Sequence, residues 1–290
     1  MALSSQSEVI MGKVTLAATM VRSALASLLA AVSFGALAGP VVTQWSFAVD
    51  SGFTAFTPGS VIGSNTNPVL NAPSKLTWGT DVGNGLSSLS VGSATNGQFT
   101  GFVANNGAAV NTVQVIHDNK TIGLDGGVLN SATLAARLDI ARSQPAPDGP
   151  HAIQTLTFGI MFTETINASP CAVGSSPTPC NDIFVIDVAG AGFNPANNTL
   201  FQTFPYDGNL YNAVLSITGL GPLPEGVCAA AGANPGCIGL TTIENQANPF
   251  QVALAIGFAP PSDTPEPASL GLVGLALLGL GLSRRRRAAR

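Results

Sequence analysis

Positive charge is nearly absent from the middle of this chain. Between Gly39 and Thr264 there are four bases, Lys75, Lys120, Arg137 and Arg142, against thirteen acids, a net charge of −9 with histidine neutral. A surface of that sign has no basic patch with which to neutralise phosphates, which excludes nucleic acid as a partner. Histidine is scarcer still: His117 and His151 are the two in the chain. No H-E-x-x-H, G-x-S-x-G or S-x-x-K accompanies them, so the familiar hydrolytic motifs are missing. Aromatic residues make up 6% of the sequence, too few for a broad stacking surface. Long apolar runs and long 3.6-residue periodicities are also lacking between Gly39 and Thr264, which leaves little room for helices.

Alternation is present instead. From Ile153 to Glu164, Leu156, Phe158, Ile160 and Phe162 fall on one side, with Thr155, Thr157, Met161 and Thr163 on the other. The same period of two runs through Leu134 to Ile140, Phe184 to Val188, Tyr211 to Ile217 and Phe250 to Phe258, each with one face toward water. Turn formers separate these segments: Asp125-Gly126-Gly127, Pro147-Asp148-Gly149-Pro150, Asn194-Pro195 and Asp207-Gly208-Asn209. Many short strands with one wet face predict an all-β domain, an antiparallel, jelly-roll-like β-sandwich. About 225 residues suffice for one sizeable core of that kind.

Four cysteines allow three pairings. Cys171 and Cys180 bracket one loop, Cys228 and Cys237 another, and the matched local spacing favours 171 with 180 and 228 with 237. Disulfides suit an oxidising compartment. A zinc site is the alternative, but the eight residues between each pair are not a metal-ligand spacing and no histidine is near.

The two ends carry addresses. Lys13 and Arg22 precede an apolar stretch from Ala24 to Leu37 that closes on Ala36-Leu37-Ala38 before Gly39, the form of a secretory signal cut after Ala38. Residues 1–38 are therefore read as a signal peptide, with residues 1–10 a possible gene-model extension because Met11-Gly12-Lys13 is the more conventional start. At the other end Pro265-Glu266-Pro267 is followed by apolar residues 268–282 and then Arg284, Arg285, Arg286 and Arg287. As a helix that run spans about 22 Å against a hydrocarbon core of about 30 Å, short for a permanent anchor. The arginines hold the extreme C-terminus on the cytoplasmic side, with the rest of the chain outside.

This order of tripeptide, short apolar helix and arginine cluster resembles the PEP-CTERM sorting signal of Gram-negative, exopolysaccharide-making bacteria. The resemblance implies that Pro265, Glu266 and Pro267 are recognised by an exosortase, a membrane-embedded thiol transpeptidase. It also implies passage through the Sec translocon, cleavage by signal peptidase and a transient stay in the inner membrane. Delivery to the outer surface or the extracellular matrix would follow. An ordinary tail anchor shares this topology but keeps its arginines. The expected organisation is a signal peptide over 1–38, a secreted sandwich over 39–260 and a sorting segment with a transmembrane helix over 261–290.

Within the body, Trp45-Ser46-Phe47, Leu76-Thr77-Trp78-Gly79-Thr80 and Val115 to Ile122 resemble the THxN family of PEP-CTERM proteins. His117 and Asn119 match that family's motif, and Ile116 stands where it has threonine. On a strand His117 and Asn119 project from one face and Asp118 from the other. The expectation for His117 is a structural bond to a neighbouring strand or turn through Asn119. A calcium site drawing on Asp118, Asn119 or Asp125 is the one cofactor considered, and no other metal is expected. Asp182 and Asp187 lie five apart on a strand pattern, point to opposite faces and make a poor acid/base pair. Trp45, Trp78, Tyr206 and Tyr211 are the residues a sugar-binding face would use, but aromatics are scarce and the reading for each is core or sandwich rim. The sequons at Asn119, Asn167 and Asn197 match the glycosylation pattern. These observations lead to a non-enzymatic exported protein with a structural, adhesive or exopolysaccharide-associated binding role. The rival is a secreted hydrolase of matrix polysaccharide or protein.

Overall fold

The computed structural model describes residues 39–259 except 93, 148, 172–179 and 188–191. Ala36 and Ala38 of the signal, Pro265, Glu266 and Pro267, the apolar run and Arg284 to Arg287 lie outside the described residues. Among those described, no helix is long and apolar enough to cross a membrane.

Two antiparallel sheets face each other. One runs β15 (Gly221–Pro222), β16 (Ile238–Thr242), β11 (Asp182–Asp187), β10 (His151–Thr163), β9 (Ser131–Gln144), β1 (Gln44–Thr57), β6 (Gln98–Ala104). The other runs β12 (Gly192–Asn194), β13 (Thr199–Tyr206), β14 (Asn209–Ile217), β17 (Gln246–Phe258), β7 (Val110–Asn119), β5 (Ser87–Val91), β3 (Ala72–Trp78), β2 (Ile62–Asn67). A small ribbon pairs β4 (Thr80–Asp81) with β8 (Ile122–Gly123). The all-β sandwich that the alternation predicts is therefore the fold. The Asp207-Gly208 turn closes β13 onto β14 with Tyr206 opposite Asn209. Both turn residues have positive φ, 49° and 77°, the requirement of the hairpin turn whose twist matches the flanking strands.

The facing sides fill the core from both sheets. At one end Trp45 of β1 meets the rings of Tyr206 and Tyr211 edge-on at 4.8 Å each, and Phe204 at 5.8 Å. Val103, Leu138, Ile140, Leu254 and Ile256 surround them. Toward the other end of β10, Trp78, Phe162 and Phe184 pack with Leu76, Leu89 and Leu240. Between the sheets is an apolar cavity of about 100 Å³ bordered by Val49, Leu134, Ala136, Leu156, Leu215 and Leu254. Ligand pockets run to roughly 300 Å³ and upward, so this one is a packing gap.

One strand departs from the expected pattern. Residues 182–185 of β11 are buried on both faces, where alternation predicts one wet face. Phe184 enters the main core, while Ile183 and Val185 lie under Val227 and Ala231 of the short helix α1 (Glu225–Ala230) and its end. That helix is held by the Cys228–Cys237 disulfide, and Cys171–Cys180 closes the loop that leads into β11. Both pairings follow the spacing.

Replacing Trp45 with alanine removes a ring with 0% exposure and leaves a cavity at an aromatic junction. The expected loss is about 3–5 kcal/mol by urea denaturation. Phe102→Ala, on the outer face of β6 at 61% exposure, is expected to stay within about 0.5 kcal/mol of the parent.

Candidate functional site

Strand β7 ends in Ile116-His117-Asp118-Asn119, and its pleat does what the period of two requires. His117 and Asn119 turn inward and are fully buried, whereas Asp118 turns out and pairs with Lys120 at 3.2 Å. The imidazole stacks on Trp78 with centroids 5.5 Å apart and meets Phe162 and Phe184 edge-on. Its Nδ1 lies 2.9 Å from Thr242 Oγ1 of β16, a bond between the two sheets. Burial pulls its pKa down to about 3, so the ring is neutral. The structural role expected for His117 is present, but the bond is made directly to Thr242 and not through Asn119. Neither amide atom of Asn119 has a hydrogen-bond partner among the described residues.

Beside this strand end three carboxylates converge. Glu164 follows the last residue of β10, Asp182 opens β11, and Glu244 sits in the turn after β16. Antiparallel register explains the meeting: Thr163 pairs with Ile183, and Asp182 with Thr242, so residues remote in sequence share one corner. One oxygen from each of the three carboxylates lies within 4.8 Å of the others. Asp182 and Glu244 are buried and Glu164 is half-buried. Thr165 N–H donates to Asp182 Oδ1 at 2.8 Å, and the Thr121 hydroxyl to Glu244 Oε1 at 3.0 Å. Among the described residues no donor reaches Glu164 Oε2, Asp182 Oδ2 or Glu244 Oε2.

Desolvation, then repulsion from Asp182 and Glu244, pushes the Glu164 carboxyl up to about 9. Desolvation raises Asp182 to about 7 against the opposing pull of the Thr165 N–H. The Trp78 indole and the Asn119 amide act on Glu164 and Asp182 respectively in the direction that favours charge, yet neither completes a hydrogen bond. Such a corner either retains protons or accepts a cation held by oxygen ligands.

The other expected site residues fall elsewhere. The calcium grouping of Asp118, Asn119 and Asp125 does not form, because Asp118 and Asn119 leave opposite faces of β7 and Asp125 is exposed on the 3-10 turn Leu124–Gly126. Asp187 is exposed while Asp182 is buried, as the strand spacing predicts. Asp182 nevertheless finds carboxylate partners, and they are Glu164 and Glu244, which no local pattern marks. Trp45, Trp78, Tyr206 and Tyr211 are all core at 0–3% exposure, so none offers a face to a sugar. Asn119 is likewise too buried to accept a glycan. His151 Nδ1 bonds Asp139 Oδ1 at 2.7 Å, and Asp139 also meets Arg137 at 3.1 Å. That pair lies on an open strand face, with the His151 side chain 68% exposed.

Comparison with known families matches residues 263–287 to the PEP-CTERM protein-sorting motif. The chain thus carries the signal of an exported protein, anchored in the membrane and then processed by an exosortase. No curated protein matches the chain.

The raised carboxyls fix a pH dependence. Glu164 and Asp182 keep protons in the folded state that the unfolded chain has already released, so raising the pH through that window favours unfolding. His117 acts oppositely and only in acid, since its folded pKa lies below the ordinary 6.5 and the unfolded chain protonates first as pH falls. Above about pH 7.5 this histidine is neutral in both states, so between there and about pH 9 it no longer offsets the carboxyls. In the presence of a chelator, urea denaturation should show stability falling across that range by on the order of 2 kcal/mol. Glu164→Gln should flatten the fall, and a stability that rises with pH would contradict the burial of these acids.

Proposed function

We propose that the folded body is a non-catalytic module delivered to the outer surface or the extracellular polysaccharide matrix, where it has a structural, adhesive or polysaccharide-associated binding role. The observation that carries this reading is the sorting motif over residues 263–287. In this reading signal peptidase cuts between Ala38 and Gly39 after export through the Sec translocon. The segment after Pro265-Glu266-Pro267 then holds the protein in the inner membrane, with Arg284 to Arg287 inside, until exosortase cleavage.

The character of the body supports a module without chemistry of its own. Two local disulfides suit a protein that works outside the cell. His117, stacked in the core and neutral, is out of reach of any substrate. Strand β2 presents Ile62 to Thr66, mostly small and polar residues, along an exposed edge, a surface suited to hydrogen bonding with hydroxyl-rich polymers. The resemblance to the THxN group, carried by Trp45, Trp78, His117 and Asn119, belongs to this proposal.

Intact-mass analysis of the protein recovered from the cell envelope tests the sorting step. The expected form begins at Gly39, has all four thiols oxidised and lacks the arginine tail; finding Arg290 in the mature protein would overturn the exosortase route. Glu266→Ala should leave the tail attached and the protein in the inner membrane. For the binding role, the mature protein should be retained on polysaccharide from the producing cells, and passage without retention would remove that part of the proposal.

A further inference from the structure

We propose that Glu164, Asp182 and Glu244, joined by Asn119, form a binding site for a divalent cation of the calcium type that ties the two sheets together. The first ground is the donor set. Three carboxylates and an amide supply only hard oxygen ligands, which suit calcium or magnesium and not the softer transition metals. The second is spacing. Oxygens no more than 4.8 Å apart have a point within roughly 2.8 Å of all three, so an inward shift of a few tenths of an ångström brings them to the 2.3–2.6 Å of calcium coordination. Magnesium needs a tighter octahedron, at about 2.0–2.1 Å, and releases its water reluctantly.

The third ground is a side chain that is not itself an acid. Asn119 is 0% exposed, neither of its amide atoms is bonded among the described residues, and it acts on Asp182 from the opposite sheet. A buried amide without a partner is destabilising unless something at the site satisfies it. By turning about its last bond it can offer a cation its oxygen. The Trp78 indole N–H, 2% exposed, is likewise unbonded and directed at Glu164. A corner with three orphan carboxylate oxygens and an orphan amide is short of one positive centre.

Position gives that centre a purpose. Glu164, Asp182 and Glu244 come from the ends of β10, β11 and β16 in one sheet, and Asn119 ends β7 in the other. A cation between them would add a cross-link beside the His117–Thr242 bond. Glu164, the least buried of the three, marks the side of entry. Cation binding and sorting are separable, because the mass of the tail reports only on sorting.

The test uses the mature protein recovered from the exporting cells, stripped with EDTA and titrated with Ca²⁺ alone and, in parallel, with Mg²⁺ alone. Calorimetry should find one Ca²⁺ per chain, with Mg²⁺ at least about tenfold weaker, and Ca²⁺ should raise Tm by about 5 °C or more. The isosteric Asp182→Asn and Glu244→Gln should each weaken Ca²⁺ binding by about 100-fold or more, while Asp118→Asn, on the outer face of β7, should leave it unchanged. Terbium taken up in place of calcium should luminesce on tryptophan excitation, with Trp78 the nearby sensitiser and Trp45 in the distant aromatic cluster. That signal should vanish in Trp78→Phe and on adding Ca²⁺, which keeps the proposal testable if an acid variant fails to fold. No Ca²⁺-dependent Tm shift in the stripped protein, equal binding of Mg²⁺, or undiminished binding in both acid variants would each overturn it.

Discussion

Burial of one sheet face against the other is the constraint on which this molecule depends. Each sheet alone would expose a row of Leu, Ile, Val and Phe side chains, and facing the two removes both rows from water at once. The contact is completed differently at its two ends. Around Trp45 it is closed by aromatic rings meeting edge to face, an arrangement that adds to simple area burial. Around Trp78 it is closed by a histidine stacked on the indole and bonded to Thr242, with acids and an amide behind it. One end is apolar and self-sufficient, whereas the other is polar and depends on how its charges are balanced.

That asymmetry links stability to the compartment in which the protein works. The sorting motif sends the body out of the cytoplasm, and the two disulfides hold the loop before β11 and the helix above it without help from chaperones. The helix α1 covers the outer face of β11, so the strand that opens with Asp182 is enclosed from both sides. Asp182 shares the inward face of β11 with Phe184, and burial there denies it the water that would normally support its charge, which makes the corner sensitive to protons and cations. Local packing and local electrostatics are therefore one feature viewed from two sides.

Much of the fold was legible beforehand. Strand β10 reads directly from Leu156, Phe158, Ile160 and Phe162, because a pleated strand places every second residue on one face. The Asp207-Gly208 hairpin reads from its turn residues, and the disulfide pairing from two equal local spacings. His117 and Asn119 on one face of a strand, with Asp118 opposed, follows from the same period. Strand β11 was less legible, since its double burial comes from a helix some forty residues further along the chain. The candidate site was legible only in part: Asn119 stands out, but in a grouping with Asp118 and Asp125 that does not form, and Asp182 stands out only as a poor partner for Asp187.

Sequence by itself determined the address, the oxidised cysteine pairs, the β class and the inward face of strands such as β10 and β14, because all of these are written in contiguous residues or in short spacings. Only the tertiary structure decided that Glu164, Asp182 and Glu244 meet, that Asn119 is turned toward them unbonded, and that the four large Trp and Tyr side chains are core. The physical reason is register: the partners of a strand residue are set by how neighbouring strands slide against one another, and that sliding is fixed by the burial of the whole sheet, not by any segment within it.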